Sequence, residues 1–213
     1  MDFLGVNAQL LGGFKYTLLI FFITLVAAIP LGLPIALGSM SRFKPLRWIS
    51  RAFVWVIRGT PLMLQIMVVF YVPGLVFGTP FRSRIIAVII AFIINYAAYF
   101  AEIYRSGIQS IPVGQREAAK VLGYSRVQTF WKIIFPQMVK RVLPPVTNEV
   151  ITLVKDTSLA FAIAYTEMFT MAKQIASAQA SLMPLFIAGL FYYIFNFVVA
   201  FVMAVSYTHL TLP

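Results

Sequence analysis

The sequence predicts an all-α integral membrane protein with five transmembrane helices, its N-terminus outside and a helix-turn-helix loop in the cytoplasm. Three observations carry this. Apolar residues make up 61% of the 213 and charged residues 11%, with a mean hydropathy of +0.90. A soluble domain is about 45–50% apolar and about 25% charged, so a chain this apolar would lack the polar surface to cover itself. Five stretches offer the roughly 20 apolar residues that a bilayer core requires of a helix. The positive charges fall on alternate connections between those stretches. The same composition excludes disorder. With no Cys there is neither a disulfide framework nor a Cys-based metal site, and the single His209 makes a His-ligated metal site implausible.

The first stretch runs about 16–37 and contains Pro30 and Pro34. It is too long for a removable signal, whose apolar core is about 7–15 residues, and only Lys15 precedes it, so it reads as a retained helix. The second, about 52–77, is interrupted by Arg58-Gly59-Thr60-Pro61 and by Pro73-Gly74. Such breaks are tolerated where protein or a water-filled cavity surrounds them. Arg58 lies where its charge can reach the interface, so a functional and a purely topological reading both stay open. The third stretch, 85–104, is uninterrupted. The fourth is expected to start after Pro144-Pro145 and to run to about Tyr165; the fifth runs about 185–205.

The connection after the first stretch holds Arg42, Lys44, Arg47, Arg51 and Arg58 with no acid. The connection after the third holds Arg105, Arg116, Lys120, Arg126, Lys132, Lys140 and Arg141 against Glu117 alone. Together they carry 12 of the 17 positive residues, while the other side has Lys15, Arg82, Arg84 and Lys173. The positive-inside rule places the two rich connections in the cytoplasm. The net charge of +11 is then mostly topology and requires no nucleic acid.

The cytoplasmic loop, about 112–136, has structure of its own. Ile111-Pro112-Val113-Gly114 breaks what precedes it, and a short helix is expected over 115–122. Gly123 suits the left-handed residue that ends a helix. Ser125-Arg126-Val127-Gln128 has the form of a capping box, opening a second helix that is expected to stop at Pro136. A DNA-binding helix-turn-helix is disfavoured because both ends are tethered to spans. The better reading is a docking surface. Ala118 and Ala119 are expected to leave the short helix bare for close approach, with Arg116, Glu117 and Lys120 setting register. A solvated loop without a partner is the bland alternative, weakened by the loop's length and capping.

At this point the chain resembles a known family. Glu117-Ala118-Ala119, then Gly123, then Ile133 and Phe135-Pro136 is similar to the "EAA" loop of bacterial ABC-importer permeases, with Phe135 where Leu is usual. Residues 95–105, Arg58-Gly59-Thr60-Pro61-Leu62, Leu143-Pro144-Pro145 with Asn148, and Lys155-Asp156-Thr157-Ser158-Leu159 resemble the polar amino-acid (histidine/glutamine/arginine-type) branch, over roughly 13–203. The resemblance implies a coupling helix seated in a groove of a cytoplasmic ATPase, with Glu117, Ala118, Ala119, Gly123 and Pro136 as coupling residues. It implies two ATPase subunits that hold the ATP and Mg, a second permease subunit (itself or a paralogue), and an extracytoplasmic amino-acid-binding protein. The location implied is the bacterial plasma membrane. The chain itself has no Gly-x-x-x-x-Gly-Lys-Ser/Thr loop, so no cofactor is expected in it and it is not expected to be an enzyme.

Ionisable residues inside a membrane are functional candidates by default. On the third stretch Asn95, Tyr99 and Glu102 share a helical face; on the fourth, Asp156 shares one with Thr152 and Glu149. These stripes, with Thr157 and Ser158, are the candidate pathway for a zwitterion: a carboxylate for the ammonium group, Lys or Arg for the carboxylate. Pairing for packing or at a dimer interface is the alternative, and Asn95 can act as interhelical glue. An ion-coupled secondary transporter and a non-transporting scaffold remain as rivals. The first would need no docking loop, and the second no polar faces. Residues 206–213 lack the basic residues expected after a last span ending inside, so a domain of 1–205 followed by a truncated or foreign tail is expected.

Overall fold

The computed structural model describes residues 3–211, and among them there are helices and turns but no strands. Helix α1 is Phe3–Ser39 and carries Pro30 and Pro34 within it. Helices α2, Lys44–Arg58, and α3, Leu62–Phe77, follow. Helix α4, Arg84–Gln109, leads into the short α5, Val113–Val121, and α6, Arg126–Thr129. A π-turn at Phe130–Ile134 joins α6 to α7, Phe135–Asp156, and a 3-10 turn, Thr157–Ile163, continues it. Helices α8, Met168–Gln179, and α9, Met183–Thr211, complete the chain. Residues 206–211 of the expected tail continue α9, while Leu212, Pro213 and the His209 side chain lie outside the described residues.

Three of these helices are long and apolar enough to cross a membrane: most of α1, all of α4, and α9 as far as Thr208. The α2–α3 pair would make a fourth, but it is bent by 107°. The second stretch is therefore not one straight helix. Pro61 cannot donate a backbone hydrogen bond and its ring crowds the preceding turn. The carbonyls orphaned at the end of α2 are taken by a side chain instead: Gln65 Nε2 donates to Ile57 O at 2.8 Å and to Thr60 O at 3.1 Å. Pro73, by contrast, sits inside α3, which ends only at Gly78.

The fourth stretch also differs from expectation. Helix α7 begins at Phe135 and passes through both Pro144 and Pro145, with the Thr147 hydroxyl donating to Leu143 O at 2.9 Å. It stops at Asp156, not near Tyr165. Thr157 and Ser158 turn their hydroxyls back onto Val154 O (2.7 Å) and Lys155 O (2.8 Å). Short hydroxyl side chains offer the backbone an alternative to helix in this way. The tighter turn ends at Ala164, whose φ is +52°.

Helix α4 is the hub. Its Ala87, Val88, Ala91, Phe92, Tyr96 and Phe100 are buried against α1, α3 and α7. A smaller cluster of Val6, Leu10, Met168, Ala172, Ile175 and Ala188 packs α8 between α1 and α9. Outward-facing Phe186, Leu190, Phe197 and Phe201 on α9 are 57–76% exposed, a surface that only lipid or another apolar protein face can cover.

Candidate functional site

Two features could carry function: the elbow between α4 and α7, and a line of polar side chains among α2, α3, α4 and α7.

The elbow is built by local chemistry. Helix α5 closes with Gly123 N donating to Lys120 O and Tyr124 N to Ala119 O, both at 3.0 Å. This paired arrangement needs a left-handed residue, and Gly123 supplies it at φ +77°. Two residues on, the Ser125 capping box is complete: Gln128 N donates to Ser125 Oγ (3.2 Å) and Ser125 N to Gln128 Oε1 (2.9 Å). The second helix does not stop at Pro136. Pro136 has no N–H for the Lys132 carbonyl and its ring would crowd it. The π-turn widens the backbone at that point, with Phe135 N donating to Phe130 O, and α7 starts with Pro136 in its first turn. The elbow is thereby continuous with α7. Arg141 of α7 further ties it to the end of α4 by donating to Ser110 Oγ at 3.0 Å.

Glu117, Ala118, Gly123 and Pro136 are exposed, as are Val121 (88%), Leu122 (73%) and Val127 (67%). Ala119 differs from expectation. It is 1% exposed, so its small size seats α5 on its own chain and only Glu117 and Ala118 of the triplet face outward.

The polar line begins where α2 and α3 meet. Gln65, which caps the bend, accepts from Asn95 Nδ2 of α4 at 3.0 Å. Asn95 is buried and this bond pins α4 to α3. One turn along, the Tyr99 ring lies 5.2 Å from the Arg58 guanidinium, within cation–π range. Glu102 follows on the same face, 3.9 Å from Arg58 and in a tight ion pair with Arg105. Asn95, Tyr99 and Glu102 therefore do share a face, and it looks toward the α2–α3 bend. Glu102, Arg105, Arg58, Arg51, Trp48 and Trp55 line a cleft of about 640 Å³.

Asp156 is reached from the neighbouring position on α4. Tyr96, 1% exposed, donates its hydroxyl to Asp156 Oδ2 at 2.8 Å. Asp156 itself is half-buried, and Ser158 is too, while Thr157 is fully buried and spends its hydroxyl within its own turn. Thr157 thus shapes the end of α7 and presents nothing to an open surface of this chain.

Sequence reasoning missed three polar groups. Tyr96 and Gln65 are the partners that orient Asp156 and Asn95. Glu167 is the third, at 0% exposure. Its carboxylate accepts from Phe169 N and Thr170 N (both 2.7 Å), Thr170 Oγ1 (2.9 Å), Tyr192 Oη (3.0 Å) and Thr17 Oγ1 (3.5 Å). It caps α8 and joins it to α1 and α9. The approach is close: a Cβ on Gly13 would lie 2.8 Å from Met168 Cα. The available signal was an acid three residues before Thr170 at the start of an apolar periodic segment, one of only six acids in the chain.

Residues 28–210 match the family model described as binding-protein-dependent transport system inner membrane component. The chain is 37% identical over 185 residues to the L-cystine transport system permease protein TcyB of Bacillus subtilis (strain 168), covering 85% of this chain and 77% of that protein. It is 34% identical over 206 residues to the arginine transport system permease protein ArtQ of the same organism, covering 95% and 94%. Among solved structures it is similar to a chain of an amino acid ABC transporter with histidines, with a TM-score of 0.89, 30% identity, and 98% and 99% of the two chains covered. A chain of the inward-facing MetNI methionine ABC transporter shares the fold at a TM-score of 0.78 and 16% identity, with both chains fully covered.

Proposed function

Because the chain belongs to the binding-protein-dependent transport system inner membrane component family, we propose that it is the permease subunit of an ATP-driven importer of polar amino acids. The observation that carries this reading is the exposed elbow, a rigid glycine-cornered projection whose apolar residues Val121, Leu122 and Val127 have no cover within the chain's described residues. Relatives that are permeases of cystine and arginine transport systems support the substrate class.

In this reading α1, the bent α2–α3 pair, α4, α7 with its 3-10 turn, and α9 are five spans of one domain. The N-terminus is outside, the elbow and C-terminus are inside, and the membrane is the bacterial plasma membrane. Helix α8 lies on the outer side. ATP and Mg reside on two separate ATPase subunits, each receiving one elbow. A second permease subunit, the same or a paralogue, forms the other wall of the pathway. An extracytoplasmic binding protein delivers substrate.

Glu117 and Ala118 face the ATPase, Ala119 seats α5, Gly123 forms the corner, and Pro136 imposes the π-turn through which motion passes into α7. Asn95, Tyr99, Glu102 and Asp156 are the pathway residues, and Thr157 and Ser158 act by ending α7 beside Asp156. The zwitterion's ammonium group suits Asp156 and its carboxylate suits Arg58. Closure of the ATPases moves α7 against α4, across the Tyr96–Asp156 bond. Such a cycle requires ATP to bind one conformation better than the other.

The test is co-purification from detergent with the neighbouring-encoded ATPase, comparing wild type with Glu117→Arg. A wild-type complex lost in the variant is the expected result. A well-folded wild type that captures no ATPase would refute the proposal. Asp156→Ala is expected to abolish uptake while leaving the complex intact, an outcome that a mere scaffold would not give.

A further inference from the structure

At the foot of α4, sharing Arg51 with the cleft beside Glu102, a second pocket of about 540 Å³ lies between α2, the end of α4 and the start of α5. Arg47 and Arg51 of α2 and Arg116 of α5 line it together with Gln109 and Ser110, and no carboxylate does. The two ion pairs among the described residues join Glu102 to Arg58 and Arg105, so none of these three guanidinium groups is in a contact ion pair there, and the Glu102 carboxylate acts on Arg51 only from beyond contact distance. Part of their presence has a local explanation. Arg51 Nε donates to Ser39 O at 3.0 Å and Arg116 Nη2 to Ile108 O at 3.2 Å, capping the ends of α1 and α4. Each guanidinium has five N–H donors, however, and carbonyl capping occupies only one of them in each case. Capping also gives no reason for three like charges to share one pocket, where they repel.

We infer that the Arg47–Arg51–Arg116 pocket binds a phosphate-type anion. The planar guanidinium fork matches phosphate oxygens two at a time, and several forks converging on one oxyanion give a charge-assisted site. The start of α5 faces the same pocket through Pro112 and Val113, with no side-chain cap and no acid in its first turn, so its backbone dipole adds to the attraction. The volume suits a phosphate headgroup. Beside the pocket, α2 exposes Trp48, Ile49 and Trp55, 64–80% accessible, of which Trp48 and Trp55 border the cleft beside Glu102, on a helix that also bears four cations, a composition that suits a membrane interface. The anion therefore comes either from an acidic lipid headgroup or from phosphate in the cytosol. Either would bridge α2 to α5 and brace the elbow against the membrane domain. Of the three arginines, Arg51 also borders the cleft beside Glu102 and Arg116 lies on the helix of the docking elbow, whereas Arg47 belongs to this pocket alone.

The experiment uses the full chain purified in detergent. In one arm native mass spectrometry follows retention of phosphatidylglycerol against phosphatidylcholine with the same acyl chains. In the other, equilibrium dialysis measures inorganic phosphate and pyrophosphate. The test variant is Arg47→Gln/Arg116→Gln; the control, Arg42→Gln/Lys44→Gln, removes the same charge from exposed positions outside the pocket. A preference of tenfold or more for phosphatidylglycerol, lost in the test variant and kept in the control, assigns a lipid headgroup. Saturable phosphate or pyrophosphate binding lost in the same variant, without lipid preference, assigns a soluble anion. Equal loss in test and control would show a diffuse surface potential and overturn the site, as would no anion binding by wild type. Should the double variant fail to fold, Arg47→Gln alone is expected to weaken binding at least threefold, and unchanged binding there overturns the inference.

Discussion

Substituting Gly123 isolates backbone conformation from packing. The residue sits at φ +77°, and a Cβ built on it would meet nothing within 4 Å. Any cost of Gly123→Ala is therefore conformational, not steric. The left-handed region costs an L-residue about 1–2 kcal/mol, which corresponds to roughly 5- to 30-fold in an equilibrium. Asn tolerates the region better and should cost less. Pro cannot adopt a positive φ, and it also removes the N–H that donates to Lys120 O at 3.0 Å. The elbow is short and exposed, so the membrane helices should insert in all three variants. The assay is titration of purified ATPase against each variant in proteoliposomes, with uptake measured in parallel. Half-maximal binding should weaken in the order Asn, Ala, Pro, with Ala down about 5- to 30-fold and Pro without uptake. Wild-type docking and uptake by the Pro variant would refute the reasoning, because the corner would then be irrelevant to the partner.

Tyr96→Phe removes one hydroxyl from a buried position and leaves Asp156 without its 2.8 Å donor. Hydrogen bonds to charged groups are worth about 1.5–3 kcal/mol, so uptake should fall roughly ten- to hundredfold. Unchanged uptake would remove that bond from the cycle. Gly13→Ala and Gly12→Ala should act oppositely on thermal stability in detergent. The first forces a Cβ to within 2.8 Å of the Met168 backbone, while the second meets nothing within 4 Å. Overpacking costs about 1–3 kcal/mol, whereas Gly to Ala within an unobstructed helix gains about 0.5–1 kcal/mol. A melting order with Gly13→Ala above Gly12→Ala would contradict the packing described. Glu167→Gln should lower the melting temperature markedly, because an amide nitrogen cannot accept and at least two buried donors lose their acceptor at about 1–3 kcal/mol each. A variant melting with wild type would show that the Glu167 contacts contribute nothing net to holding α8.

What could be read from the sequence depended on the range of the interactions. The close of α5 at Gly123 and the capping box at Ser125 are each complete within about six residues, and both form as expected. The shared face of Asn95, Tyr99 and Glu102 follows from helical period alone, and it too is present. Prolines were read less well. Pro61 bends the chain by 107°, whereas Pro73, Pro144 and Pro145 are carried inside helices and Pro136 opens one. A proline forbids one hydrogen bond but leaves the direction of the chain to its neighbours. Gln65 completes the bend at Pro61, and the π-turn completes the passage at Pro136.

By itself the sequence determined the class of the molecule, the approximate places of its helices and the form of its elbow. Those properties rest on composition, on periodicity and on side chains that bond to backbone a few residues away. Tertiary structure alone decided that Asp156 meets Tyr96, that Asn95 meets Gln65, that Glu167 joins three helices and that Ala119 faces inward. The first two partners are 60 and 30 residues apart, and Thr17 lies 150 residues from Glu167. No local preference encodes such pairings. They arise because buried polar groups must find a partner, and the packing of α1, α3 and α7 around α4, with α9 against α7 and α8, determines which one is within reach.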